Sequence, residues 1–380
     1  MLERVWAVDT ITGDRKGIVP VESFPYQRKL NDAGNATCTI DARAVDAMGI
    51  NLRSLIQVHR TTLVYEIEGC VQDAGVITET DYDWGTGKLQ VSMGDLWDVF
   101  FEKRLVLNRP DTSTGEIPAS KLDATILSLQ GLAKWYIDGS LNLPPGWDEY
   151  KLPVNLPATV SGPAVSRTIY GYELRTLADA LHDLMGMDGG PDIALLPRWS
   201  GGFVSDEWGG FYTAGPLVWD IGMADTWTYA QSTAYHLGGV KSGVKTLRAR
   251  ENGDRVATRA LAVGEGSEKK LLLGNAFTTD DTYPALEVVE PSKNEKVVAR
   301  LNAAATETVR VRQTPTKQHD MVVSKNDPEE GRLPAWRLQL GATVRVRNLD
   351  DPWLPGGWSD YRVIEISGDI ASDDVTLALQ

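Results

Sequence analysis

Apolar and polar positions alternate in short runs through much of the chain. Residues 5–8, 36–40, 55–59, 63–68, 75–80 and 88–92 are β-branched or aromatic stretches separated by Gly, Asn, Asp and Thr clusters, the spacing of strands in a small barrel. Turns fall at Thr12-Gly13-Asp14 and Asp32-Ala33-Gly34, and residues 94–104 close this unit as a short helix. The alternation is clearest at the far end. Val344 and Val346 alternate with Thr343, Arg345 and Arg347, and Val375, Leu377 and Leu379 repeat the period of two. Between them Tyr361 and Val363 share one parity while Ile364 and Ile366 share the other, so both faces of that strand are expected to be partly covered. Loops 348–357 and 367–374 join these into three antiparallel strands. With no tail after Gln380, the last strand is expected to be integral to the fold.

Helical periodicity is confined to three places. Leu122, Ile126, Leu129, Ala133 and Tyr136 mark one face of a helix expected from Ser120 to Tyr136, stopped by Pro144 and Pro145. Leu174, Leu177, Ala178, Leu181, Leu184 and Met185 mark a second, ending near Gly186, with strands at 193–198 and 217–221 to pack on it. Ser292 and Glu295 form a capping box that predicts a third, with Val297, Val298, Leu301 and Ala304 inward, followed by a strand at 308–312. There is no fixed-period repeat. The fold class is therefore mainly β with some α.

At 380 residues, with 42% hydrophobic and 24% charged positions, the chain can build several compact units. No apolar run approaches the roughly 18 residues of a membrane span, and the N-terminus lacks a signal-peptide pattern, so membrane insertion is not expected and synthesis is expected in the cytoplasm. Cys38 and Cys70 both fall in expected strands and read as free thiols. A net charge of −14 argues against a phosphate-gripping nucleic-acid binder, whose footprint is basic. It is compatible with a conduit along which DNA slides without sticking.

Catalytic chemistry is sparse. His59, His182, His236 and His319 are scattered and none has a partner at zinc-ligand spacing. No nucleophile elbow or phosphate loop is present. Two acid pairs, Asp206 with Glu207 beside Trp208 and Asp81 with Asp83 beside Trp84, would suit a glycoside hydrolase if they faced each other across a cleft. Asp83 precedes Gly85 and Gly87 as in a hairpin loop, where acids are solvated. Among twelve tryptophans, Trp199, Trp208, Trp219 and Trp227 cluster with Phe203, Phe211 and Tyr212. Such rings stack on sugars, but they also anchor cores, and the strand-like segments among them favour the core. No catalytic, cofactor-binding or metal-binding residue is assigned, and no cofactor is implied.

The closing block, Gly341 to Arg347, Tyr361 to Asp369 and Asp374 to Gln380, resembles the last domain of tail-tip hub proteins, or minor tail proteins, of long-tailed phages. The segment from Phe24 to Ile40 is similar to that family's opening hairpin, and Gly75 to Ile77, Gly94 to Leu96 and Arg104 sit in family order. The resemblance implies a siphovirus-type phage with an actinobacterial host. It also implies two tube-like β-barrels per chain, trimerising into a ring around the DNA ejection channel at the virion's tail tip. The expected divisions are 1–105 as the first barrel, 106–170 as an inserted peripheral segment, and 171–227 as a helix with strands. Residues 228–290 would be a peripheral β subdomain and 291–380 a helix with the closing barrel strands. Expected partners are further copies of the chain, a distal tail protein, a tape measure protein and other minor tail proteins, with DNA passing unbound. A glycan-binding receptor module and a cell-wall glycosidase are the alternatives.

Overall fold

The computed structural model describes residues 2–106, 121–141, 152–158, 160–187, 189–201, 203–205, 211–213, 215–238, 242–279, 282–291, 295–326 and 332–380. Contacts divide the chain into one unit of Met1–Leu247 with Asp320–Gln380 and a second of Arg248–His319. The fold is mainly β with a few helices. Among the described residues no closed barrel is found.

The first unit opens with strands β1 (Glu3–Asp9), β2 (Arg15–Ile18), β3 (Tyr26–Lys29) and β4 (Asn35–Asp41). Two short helices follow, α1 (Ala42–Ala47) and α2 (Leu52–Leu55). Asp41 and Asn51 cap them by accepting from Ala44 N–H and Ser54 N–H. The strand expected at 55–59 is thus replaced by α2 and a turn, in which His59 takes a positive φ of 59°. Strands β5 (Thr61–Ile67), β6 (Cys70–Asp83) and β7 (Lys88–Gly94) then lead into a π-helical turn, Trp97–Phe101.

The next segment corrects an expectation. Strand β8 (Lys121–Leu127) precedes helix α3 (Leu129–Leu141), where one helix was expected from Ser120, itself outside the described residues. The physical reason is a later cap: Ser128 Oγ accepts Gly131 N–H at 3.0 Å, so the helix starts there. Residues before it pair antiparallel with β10 (Val165–Tyr170), which follows the short β9 (Val154–Asn155). Helix α4 (Leu177–Met185) is capped by Thr176 and buries Leu177, Ala178, Leu181 and Leu184. Leu174, expected on that face, lies before the cap at φ 46° and is exposed. Strands β11 (Asp192–Trp199), β12 (Phe203–Ser205), β13 (Phe211–Thr213) and β14 (Leu217–Ala224) follow. β11 and β14 share one core with α3 and α4 through Ile193, Leu195, Trp219 and Ile221. Gly13, at φ 75°, lets the β1–β2 turn meet β14, because a Cβ there would lie 2.2 Å from Leu217 O.

Strands β15 (Ser232–His236) and β16 (Val244–Asn252) lead to the second unit. It holds β17 (Arg259–Val263), β18 (Leu273–Phe277), β19 (Glu287–Pro291) and helix α5 (Val298–Arg312). Ala260 and Ala262 let α5 approach its sheet through Leu301, Ala305 and Val309. Gly274 is required there, since a Cβ would lie 2.2 Å from the Leu301 carbonyl carbon. Ser292 of the expected capping box lies outside the described residues; the helix start is capped at Val297, and Glu295 accepts from Lys296 N–H and Val297 N–H. Val297, Val298 and Ala304 face outward, and the strand expected at 308–312 is the last turns of the helix.

The chain returns through β20 (Thr316–Ser324) to the closing strands β21 (Thr343–Asn348), β22 (Gly357–Gly368) and β23 (Asp374–Leu379). As the alternation predicts, Val344, Val346, Val375, Leu377 and Leu379 are all buried. A register shift between Val363 and Glu365 turns the parity of β22 over, so that Val363 and Ile366 both reach one core. The main sheet runs β16-β20-β23-β22-β3-β4-β7-β6-β5-β1-β2, with β21 and β15 branching from β22. The first and last segments of the chain therefore meet in one sheet, through β3 and β22.

Candidate functional site

Among the described residues, those weighed for catalysis do not converge. His59 and His182 are exposed on different elements, His182 with its ring 5.1 Å from Trp97. His236 stands edge-on to Trp358, and His319 lies on β20. Among the described residues no group of three His, Cys, Asp or Glu side chains could hold a metal ion. Asp83 accepts from Gly85 N–H at 2.8 Å and Thr86 Oγ at 2.7 Å. The Thr86 bond, then the Gly85 bond, hold its carboxyl below the usual range. It is a turn-forming acid, and Asp81 is exposed opposite Gln90. Asp206, Glu207 and Trp208 lie outside the described residues.

Of the expected cluster, Trp199, Trp219 and Trp227 pack into the core, while Trp208 and the side chains of Phe203, Phe211 and Tyr212 lie outside the described residues. Trp199 and Trp219 are each 3% exposed, and Trp199 Nε1 donates to Glu66 at 2.8 Å while its face covers the Arg15 guanidinium. Trp227 is half-buried and donates to Leu340 O at 3.1 Å. None of these three offers the open ring face that a sugar platform needs. Cys38 is a buried free thiol, pushed up to about 12 by burial, and Cys70 is half-buried and free.

What the structure does bring together is polar and joins distant chain segments. Lys325, 3% exposed, reaches Glu3 at 3.4 Å, Tyr65 Oη at 3.3 Å and Asp369 O at 3.0 Å. Asp369 in turn accepts Phe24 N–H at 2.8 Å. Arg362 pairs with Asp192 at 2.5 Å, and Asp192 also accepts from Asn31 and Trp227 N–H. Buried Arg28 donates to Gln72 O, Leu195 O and Gln339 Oε1, so one guanidinium clamps β3, β6, β11 and the segment before β21. The inward parity of Tyr26 and Arg28 was readable in the sequence; the partners, hundreds of residues away, were not. Asp73 is buried nearby, and burial, opposed only partly by Arg28, pushes its carboxyl up to about 7. Together these bonds cross-brace distant regions of the chain.

Solvent-facing aromatics stand elsewhere. Trp84 is 80% exposed at the β6–β7 hairpin tip, and Trp353 is 85% exposed on the loop between β21 and β22. Trp358 lies under Arg345 and Arg347 on the outer face of β21 and β22.

No protein-family model matches the sequence, and neither does any curated protein. Solved structures do match, and they place the chain in the fold of phage tail proteins. A tail protein from Neisseria meningitidis is 15% identical at a TM-score of 0.59, covering 100% of this chain and 96% of that one. The prophage MuSo2 43 kDa tail protein from Shewanella oneidensis is 12% identical at 0.57, covering 99% and 98%. A prophage tail protein from Listeria monocytogenes is 9% identical at 0.50, covering 99% and 94%. At these identities the likeness is one of fold.

Proposed function

We propose that the chain is a structural, non-enzymatic component of a phage tail. The carrying observation is that tail proteins share its fold over nearly the whole length of both chains. The cross-braced core supports that reading, since a mechanical joint needs rigidity between its first and last strands.

The finer reading is a homotrimeric hub at the tip of a siphovirus tail, infecting an actinobacterial host. Its strands would contribute two tube-like barrels to a ring around the ejection channel, with 1–105 in the first and 341–380 in the second. Residues 106–170 and 228–290 would be peripheral, the helix and strands of 171–227 would belong to the second barrel, and 291–380 would supply a helix with that barrel's closing strands. A distal tail protein, a tape measure protein and other minor tail proteins would flank it, and DNA would pass an acidic or neutral wall without adhesion. Electron microscopy of assembled particles tests this: three copies per tail at the tip are expected. Another stoichiometry overturns the trimer, and a lumen lined mainly by Arg and Lys overturns the passive channel.

A further inference from the structure

A groove of about 650 Å³ opens between the α1–α2 segment and the β6–β7 hairpin. Half-buried Ile50, Ile56 and Leu89 give it an apolar lining, completed by exposed Tyr82, Arg43 and Arg53; Asp46 also borders it. Arg43 is committed to the hairpin turn, donating to Trp84 O and Gly85 O. Arg53 has no ion pair among the described residues, so the groove offers an apolar bed with an uncommitted cation.

The loop between β21 and β22 has the opposite character. Buried Asn348 donates to the carbonyls of Asp351, Leu354 and Pro355 at 2.9–3.3 Å and accepts Asp351 N–H at 2.9 Å. The Asp351 carboxylate accepts Trp353 N–H and Leu354 N–H at 2.9 and 3.1 Å. These bonds fix the loop from within, yet it holds Leu349 63% and Trp353 85% exposed, with exposed Asp350 between them. A preorganised loop presenting a large aromatic loses little entropy on docking.

Loop and groove cannot meet within one chain. β22 and β4 are both antiparallel to β3, so they run the same way, with Gly368, Tyr26 and Ala36 in register. The loop enters β22 at Gly357, eleven residues back from that line, whereas the groove lies beyond Asp41, five residues forward. For extended strands this separates them by on the order of 50 Å along the strand direction.

We propose that the 349–353 loop of one chain seats in this groove of a second copy, with Trp353 as anchor and Asp350 facing Arg53. The charges are complementary, and the apolar lining matches Trp353 and Leu349. The contact joins two different patches, so repeating it closes a ring or extends a filament; that it closes at three rests on the hub reading above.

The test compares the full chain with Trp353→Ala, Arg53→Glu and Asp350→Lys variants by sedimentation and mass photometry, with thermal unfolding as the fold control. Losing a buried aromatic anchor should weaken association about 30-fold. Arg53→Glu and Asp350→Lys should each weaken it, and their combination should restore it. Unchanged assembly in all three single variants refutes the contact and leaves the trimer standing. Rescue by the combined variant in an assembly of another size supports the contact and overturns the trimer. An unmodified chain that stays monomeric at all concentrations refutes the contact, and the copy number in assembled particles still decides the trimer.

Discussion

Asp73 should make the protein more stable as the pH falls from 8 to 5, the reverse of ordinary acid denaturation. Its carboxyl is 6% exposed and burial raises it from 3.8 to about 7 in the folded chain. Between those two values the folded state holds a proton that the unfolded state has released. The penalty for a buried charge is therefore complete above about pH 8 and disappears as the folded group takes up its proton. Each pH unit in that interval is worth about 1.4 kcal/mol, so the gain between pH 8 and pH 5 is ~2–3 kcal/mol. That is a substantial part of a typical domain stability of about 5–15 kcal/mol. Asp95 is pushed up to about 7 in the same way, chiefly by burial and against the three backbone N–H groups it accepts, so it steepens the same slope by a similar amount. The carboxylates whose range is lowered, such as Asp83 and Glu307, lose their contribution only nearer pH 4 and leave this window clear. Urea unfolding followed by tryptophan fluorescence at pH 8, 7, 6 and 5 measures the trend. Asp73→Asn should raise the pH 8 midpoint and remove about half of the slope. A midpoint that stays flat or falls toward pH 5 in the unmodified chain refutes the reasoning, as does an unchanged slope in the variant.

Leu377 is fully buried, so Leu377→Ala should cost about 2–5 kcal/mol, whereas Leu349→Ala, on the exposed loop, should stay within about 0.5 kcal/mol; equal denaturation midpoints would contradict the core assignment. Removing residues 373–380 takes β23 from between β20 and β22, and should give insoluble or unassembled protein in an expression trial. Lys325→Met should cost about 1–3 kcal/mol, less than a fully buried pair because Glu3 keeps some contact with water, and calorimetry should show it. Joint substitution of Asp206 and Glu207 should leave folding and particle assembly intact. Release of reducing sugar from host wall by the unmodified chain, lost in that variant, would reveal an enzyme.

Much of the local structure was legible because half-buried strands write their environment into a period of two. The closing strands show this, with alternate residues of β21 and β23 meeting the core. The same reading failed where one pattern serves two structures. Leu122 and Ile126 are four apart, which suits a helix face, but they share a parity as well, and only the Ser128 cap decides that the helix begins after β8. At the start of α5 the apolar Val297 and Val298 are exposed while Ala305 and Val309 face the sheet, which Gly274 on another strand lets the helix approach closely. The tryptophans at 199 and 219 could be read as core from the strands around them. The Arg28 clamp, the Lys325 contacts and the β3–β22 pairing left no local trace, since each depends on residues distant in the chain.

That long-range pairing has a consequence for how the protein is made. Gln27 and Glu365 are hydrogen-bonded across β3 and β22 yet stand 338 residues apart in the sequence. At about 5–20 residues per second, a ribosome needs roughly 20–70 s to travel between them. Throughout that interval β3 is without its neighbour on one side, presenting an unpaired edge of the kind that invites mispairing. β3 is only four residues long and ends in Arg28 and Lys29, which shortens and charges the waiting edge. Completion of the sheet is thus deferred until β22 has been made, and a chain stalled before it would be left open for quality control to recognise.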